Sequence, residues 1–193
     1  MTNYTEAQID AQIDAMSLDE LIEAVVTGGQ TDILLATRKG KAIRFPEKFV
    51  RPMGRTAAGV RGITLDGEDD SVVGMVRVAD PEATILVVTH NGFGKRSRLA
   101  DYRITNRGGM GVISLHNLKR NGPIVGIKGV ADDDEVMITT SSGMIIRLRM
   151  QQVSVIGRAT AGFKMIDLRE GDHVADIAKM VITEDSEEAG GAK

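Results

Sequence analysis

The stretch Ile85-Leu86-Val87-Val88-Thr89-His90-Asn91-Gly92-Phe93-Gly94-Lys95-Arg96 decides the fold. An apolar run rich in β-branched residues meets Asn-Gly and then a second run, which is the signature of a tight β-hairpin. Glycine suits the turn because a residue without Cβ adopts a positive φ at little cost. The same pattern recurs at residues 33–44 and 136–147. Thr37, Thr89 and Thr140 lie 52 and 51 residues apart, and the same spacing separates Gly40, Gly92 and Gly143, and Arg44, Arg96 and Arg147.

The register runs on past the hairpin. A second arginine, Arg55, Arg107 or Arg158, follows each time, then a glycine, Gly59, Gly111 or Gly162, and then an apolar stretch (60–65, 112–115 and 163–168). Five positions in step across three blocks establish an internal repeat. Apolar runs at 21–26, 72–78 and 124–130 precede the hairpins, and a fourth copy stands at 174–180. About four strands per repeat predict an all-β fold, a β-pinwheel or propeller-like array of three four-stranded blades. Three blades are too few to close a ring, so an open crescent or an assembly is expected. Residues 19–181 would form this domain. Within the extension 1–18, Ile9, Ile13 and Met16 share a helical face behind Thr5 as a possible N-cap, which predicts a short helix. The tail 182–193 carries Glu184, Asp185, Glu187 and Glu188 with almost nothing apolar, which predicts disorder.

Charge is distributed unevenly. The formal net charge is −3, which conceals a basic middle between acidic ends. Residues 1–37 hold seven acids and no Lys or Arg, residues 38–168 hold 21 basic and 13 acidic residues, and residues 169–193 hold three and seven. Such a middle suits a polyanionic partner. The absence of cysteine excludes disulfides and thiolate zinc sites. No apolar run reaches 18 residues and the N-terminus carries no basic-then-apolar leader, so a cytoplasmic protein without membrane contact is expected.

Residues 51–63 (Arg-Pro-Met-Gly-Arg-Thr-Ala-Ala-Gly-Val-Arg-Gly-Ile), 91–96 and 155–162 carry a family likeness. The chain resembles the C-terminal domain of the A subunit of bacterial DNA gyrase over roughly residues 19–181. That resemblance implies a β-pinwheel that bends double-stranded DNA around a basic rim, so that strand passage by the enzyme adds negative supercoils. It also implies partners, the gyrase B subunit together with the remainder of the gyrase A subunit. Two features depart from the family. Fewer repeats are present than usual, and the glutamine-led basic heptad of the first blade has no full match. The nearest stretch, residues 105–111, keeps Arg107 and three glycines only. The equivalent domain of topoisomerase IV, which lacks that heptad, is the close alternative. A protein-interaction propeller without a DNA role is the distant one.

Phosphates recur along a duplex, so a cation repeated once per blade could track them. Arg44, Arg96, Arg147, Arg55, Arg107 and Arg158 are therefore the candidate DNA contacts, with Arg38, Lys39, Lys41, Lys95, Arg98 and Arg149 around them. The competing readings are that these arginines mark solvent-facing strand positions or satisfy loop carbonyls. Aromatic residues make up 3% of the chain, too few for base-stacking platforms, which favours duplex backbone over single strands. Residues 132–135 read as a solvated acidic turn, and His90, His116 and His173 stand at unrelated repeat positions, so no metal is expected. There is no phosphate-binding loop, and no cofactor is expected. Tyr4 and Tyr102 match no nucleophile pattern, so no catalytic residue is assigned.

Overall fold

Every predicted hairpin forms. The computed structural model describes residues 22–54, 57–116 and 118–180. The expected N-terminal helix, Tyr4, Arg55 and the acidic tail lie outside the described residues. β1 (Asp32–Thr37) pairs antiparallel with β2 (Lys41–Pro46), β4 (Thr84–Thr89) with β5 (Phe93–Arg98), and β8 (Glu135–Thr140) with β9 (Ile145–Arg149). Each turn closes when the glycine N–H donates to the threonine carbonyl three residues back, at 3.0 Å in all three blocks. Gly40, Gly92 and Gly143 hold φ of +85°, +77° and +82°, the left-handed residue that ends a three-residue hairpin loop.

The remaining strands connect the blades. β3 (Val72–Val78) precedes the second hairpin in sequence but pairs with β1 of the first. β7 (Ile124–Val130) likewise pairs with β4, and β11 (Val174–Lys179) with β8. The expectation of a strand at residues 21–26 fails for this reason. Its counterparts complete the preceding blade, and no preceding blade stands among the described residues, so residues 22–28 run without strand structure. β6 (Val112–Ile113) crosses back to β2, and β10 (Phe163–Lys164) to β5. The sheets therefore run β3-β1-β2-β6, β7-β4-β5-β10 and β11-β8-β9. Among the described residues the third blade has three strands, and in the first two blades the short outer strand comes from the following block. β3, β7 and β11 pack on one another at the hub, which leaves β6 and β10 outermost.

Adjacent blades stack through apolar faces. Leu34, Ala36 and Val76 of the first blade meet Ile85, Val87, Leu99, Tyr102 and Ile127 of the second, all buried. Leu86 and Val88 on the opposite face of the second blade meet Val136, Ile138, Met150 and Val153 of the third. Each such side chain contributes about 1.5–3 kcal/mol on leaving water. A smaller cluster, Ile33, Ile43, Phe45 and Ile63, forms on the leading face of the first blade.

The donated strand sets a second glycine requirement. Gly111 and Gly162 have φ of +70° and +73°, and a Cβ on either would run into the carbonyl oxygen of Ala42 or Gly94 on the accepting strand. Gly59 holds the same conformation, φ +79°, with open space around it. Gly59→Ala should therefore cost only the left-handed backbone penalty, about 1 kcal/mol, while Gly111→Ala should cost about 3 kcal/mol. Urea unfolding of the two variants measures the difference, and equal losses would mean that strand donation is not what the glycine serves.

Candidate nucleic-acid interface

The repeated arginines are placed by the strand exchange. In each blade the Nε of the hairpin arginine bonds to the first residue of the inner strand: Arg44 to Asp32 Oδ2 at 2.8 Å, Arg96 to Thr84 Oγ1 at 2.9 Å, and Arg147 to Glu135. The Nη1 reaches the next blade. Arg44 Nη1 donates to the Leu99 carbonyl at 3.3 Å and Arg96 Nη1 to the Met150 carbonyl at 2.5 Å. Leu99 and Met150 each open the 3-10 turn that follows a hairpin (Leu99–Asp101 and Met150–Gln152). Arg96 adds Asp132 Oδ1 at 2.6 Å. Arg147 meets no further blade among the described residues. Side-chain exposure follows: 2% for Arg96, 13% for Arg44 and 57% for Arg147.

The second arginine of each repeat points backwards. Arg107 donates to the Phe49 carbonyl at 2.9 Å and the Arg61 carbonyl at 3.0 Å, both in the preceding block. Arg158 donates to the equivalent carbonyls of Asp101, at 3.0 Å, and Ile113. Two arginines per junction thus clamp neighbouring blades from opposite sides, and a guanidinium with several fixed donors suits that task better than an ammonium would. Phosphate contact, expected of all six, does not fit Arg96, whose donors are spent and whose surface is closed. The carbonyl reading describes Arg44, Arg96, Arg107 and Arg158.

Lys95 is also internal. It replaces the Ile43 and Ile146 of the other blades, and its Nζ donates to the carbonyls of Gly157 (3.1 Å), Arg158 and Thr160 (3.2 Å) and to Thr160 Oγ1 (3.3 Å). Burial, and after it the nearby Arg158 charge, push its pKa down to about 8. Lys39 bonds to the Asp66 carbonyl at 2.6 Å and pairs with Asp69. Arg38, Arg98 and Arg149 remain exposed, and Lys41 is half-buried beside β6. Arg149 pairs with Glu135 at 3.2 Å while staying 70% exposed.

Three further readings need amendment or detail. Residues 132–135 do more than meet solvent, since Asp132 pairs with Arg96, Asp134 with Lys179 at 2.5 Å, and the buried Glu135 with Arg147 and Arg149. His90 and His173, distant in sequence, stack with ring centroids 4.3 Å apart across the second and third blades. The Tyr102 hydroxyl is buried and meets Ser114 Oγ at 2.9 Å. Among the described residues no cluster of His, Cys, Asp and Glu could hold a metal ion.

The family model for the DNA gyrase C-terminal domain, described as a beta-propeller, matches residues 31–79, 83–130 and 134–179, one match per blade. The chain belongs to the DNA gyrase C-terminal domain family. It is 45% identical over 171 residues to the DNA gyrase A protein of Chlamydia muridarum and 46% identical over 171 residues to that of Staphylococcus aureus. Those alignments take in 88% of the chain and 20% and 19% of the relatives, so the chain spans about a fifth of their length. Among solved structures it resembles a C-terminal domain of DNA topoisomerase IV (TM-score 0.77, 28% identity, 81% of this chain and 49% of that one). It also resembles a DNA gyrase A C-terminal domain (TM-score 0.74, 26% identity, 80% of this chain and 52% of that one). The all-β pinwheel read from the repeat is the fold of this family, with sheets that do not close.

Within this gyrase-type pinwheel the hairpin arginine is a graded structural residue. Arg96→Ala leaves the Met150 and Val153 carbonyls without their donor in a closed site and should lower stability by about 2–4 kcal/mol, whereas Arg147→Ala leaves the buried Glu135 its bond to Arg149 and should cost about 1 kcal/mol. Chemical unfolding measures both, and equal losses would contradict the clamp. Lys95 supplies a pH test. Its folded pKa lies below the 10.5 of the free side chain. The unfolded chain therefore binds more protons between the two values, and stability gains with rising pH in that window. Relative to Lys95→Ile, the wild type should gain at most about 1.4 kcal/mol per pH unit from pH 8 towards 10.5, read from urea midpoints.

Proposed function

We propose that the chain binds duplex DNA along its outward segments, without reading base sequence, and bends it there as the C-terminal part of a bacterial DNA gyrase A protein. One observation carries this reading, the radial separation of charge. Residues 41–64, 93–118 and 145–169 run through the outer hairpin strand and the 3-10 turn, and in the second and third segments through the donated strand. Their described residues hold fifteen Lys or Arg against three acids, Glu47, Asp101 and Asp167. Residues 65–92, which return to the hub, hold six acids and one arginine. A rim of one sign concentrates a polyanion at the edge of the disc.

The clamps leave most of that charge in place. Arg107 and Arg158 bond to carbonyl oxygens, which are not anions, so their positive field still reaches the rim. Direct phosphate contact is proposed for the exposed side chains of the outward segments, Lys48, Arg51, Arg61, Arg98, Arg103 and Arg149. Arg38 and Lys41 flank the hairpin turn and supply further contacts. These residues do not recur at one position in all three blocks, which suits binding to backbone rather than base edges. The role implies the remainder of gyrase A and gyrase B as partners and the nucleoid as the place of action, in the cytoplasm. The topoisomerase IV assignment shares the fold at a similar TM-score. Reconstitution with each B-type subunit separates the two, because only the gyrase assignment yields negative supercoils.

Arg51→Glu, Arg98→Glu and Arg103→Glu together should weaken duplex affinity at fixed salt. They should also flatten the slope of log K against log salt by about 0.9 for each phosphate no longer bound. Arg44→Ala, which removes a guanidinium tied to Asp32 and the Leu99 carbonyl, should leave that slope unchanged. Fluorescence anisotropy over a salt series reads both, and an unaltered slope in the triple variant would refute the rim assignment. A circle-relaxation assay with the same proteins reports whether the bound DNA is bent.

A further inference from the structure

The outermost edge of each internal junction carries an apolar side chain left outside the packing between blades. β2 is flanked on its outer side by β6, with Val112 opposite Ala42, and β5 by β10, with Phe163 opposite Gly94. Further along the same two edges a single parallel bridge joins Arg44 to Ile104 and Arg96 to Val155. The next residue is tied down as well. Thr105 N–H donates to the Arg44 carbonyl at 2.8 Å, and Ile156 N–H to the Arg96 carbonyl at 2.9 Å. Three residues beyond the bridge, Arg107 and Arg158 make their backward clamps. Ile104 and Val155 therefore stand at the rim on fixed backbone, and their side chains remain 56% and 42% exposed.

A lone exposed aliphatic residue is ordinary. A repeated one asks for a reason. Ile104 and Val155 lie 51 residues apart, in step with the hairpins, and neither joins the apolar clusters that stack the blades. At the first junction Met110, 55% exposed, adds to the apolar surface and lines, with Arg103 and Asn106, a groove of about 390 Å³ along β2. The setting is cationic. Residues 102–116 hold Arg103 and Arg107 and no acid, and residues 153–164 hold Arg158 and Lys164 and no acid. Apolar side chains among cations do not match a row of phosphates, because burying a phosphate oxygen against carbon removes its water and offers no bond in return. They do match the surface between two rows. The minor groove places deoxyribose walls and base edges between the phosphates of the two strands, and apolar side chains that enter it part the base steps and kink the duplex.

We propose that Ile104, Met110 and Val155 enter the minor groove of the bound duplex at the two internal blade junctions and set where along the rim it bends. The inference rests on the reading that duplex lies along the rim, and it adds an uncharged contact to that reading. The cations hold the backbone of any sequence. The apolar side chains favour duplexes whose steps open easily there, such as those with a central TA step, without a hydrogen bond to any base.

The variant carrying Ile104→Ser, Met110→Ser and Val155→Ser removes apolar groups and no charge. Fluorescence anisotropy over a salt series should return the wild-type slope, with affinity lower by about three- to tenfold. On a duplex of about 40 base pairs, short beside the persistence length of DNA, energy transfer between dyes at the two ends reads the bend. At saturating protein that transfer should fall from the wild-type value towards that of free DNA, and Ile104→Leu with Val155→Leu should keep it. A second duplex tests the groove with the wild-type chain itself. Replacing adenine by 2,6-diaminopurine places an extra amino group in the minor groove and leaves the charge unchanged. The wild type should bend that duplex less, and the serine variant should treat the two alike. Undiminished transfer with the serine variant, or equal bending of both duplexes by the wild type, overturns the minor-groove contact and leaves the rim reading standing. Wild-type binding that does not depend on salt, or no binding of duplex at all, removes the rim reading and this inference with it.

Discussion

The structure depends on one constraint: no block of this sequence can finish its own sheet. The outer hairpin strand of a blade presents a row of backbone donors and acceptors, and an unpaired row is costly in a buried setting. Two residues from the next block, Val112–Ile113 or Phe163–Lys164, cover part of that row. The inner edge is finished by the strand that leads into the next hairpin. Folding of one blade is therefore coupled to its neighbour through backbone hydrogen bonds as well as side-chain packing. The arginine clamps follow from this arrangement, because every donated strand brings a set of loop carbonyls to a place where a hairpin guanidinium can reach them.

The sequence made the local part of this architecture readable. Hairpin positions, the hairpin glycines and the strands at 72–78 and 124–130 follow from short-range rules, alternation and the demand for positive φ, and they stand where expected. The partners of those strands were hidden. β6 and β10 are two residues long, and nothing in Val112–Ile113 declares that it will bind Lys41–Ala42, about seventy residues earlier. The run at 21–26 shows the same limit from the other side, since it has strand composition and no described strand to pair with. Strand propensity is a preference for a pleated neighbour, and the neighbour must exist.

The arginines were legible as important, and the structure gives four of them, Arg44, Arg96, Arg107 and Arg158, bonds to carbonyls of a neighbouring block. A residue repeated every 51 or 52 positions marks whatever recurs at that period, and in this fold the blade junction recurs as surely as any ligand. Arg96 shows how the two readings separate. Its Nε, Nη1 and Nη2 all have partners inside the protein, so a phosphate would have to displace bonds already made in a site closed to water. Lys95 shows the converse difficulty. A lysine in place of the Ile43 and Ile146 of sister repeats looks like an added surface charge until the Gly157–Thr160 loop is seen folded over it.

A duplex backbone asks little of the groups that bind it. Its charge repeats closely, its phosphates tolerate displacement of a contact, and affinity accrues from released counterions rather than from a fixed geometry. The side chains that meet it therefore need no common repeat position; they need only a shared side of the disc and few acids between them. The chain meets that condition through topology. Its acids gather on the segments that return to the hub and its cations on the segments that swing out to donate strands, so a protein with net charge −3 still presents a basic edge. The arginines that hold the blades together reinforce that edge because their partners are mostly neutral carbonyls. Structure and rim potential thus share residues without sharing contacts, and a substitution that weakens one need not weaken the other.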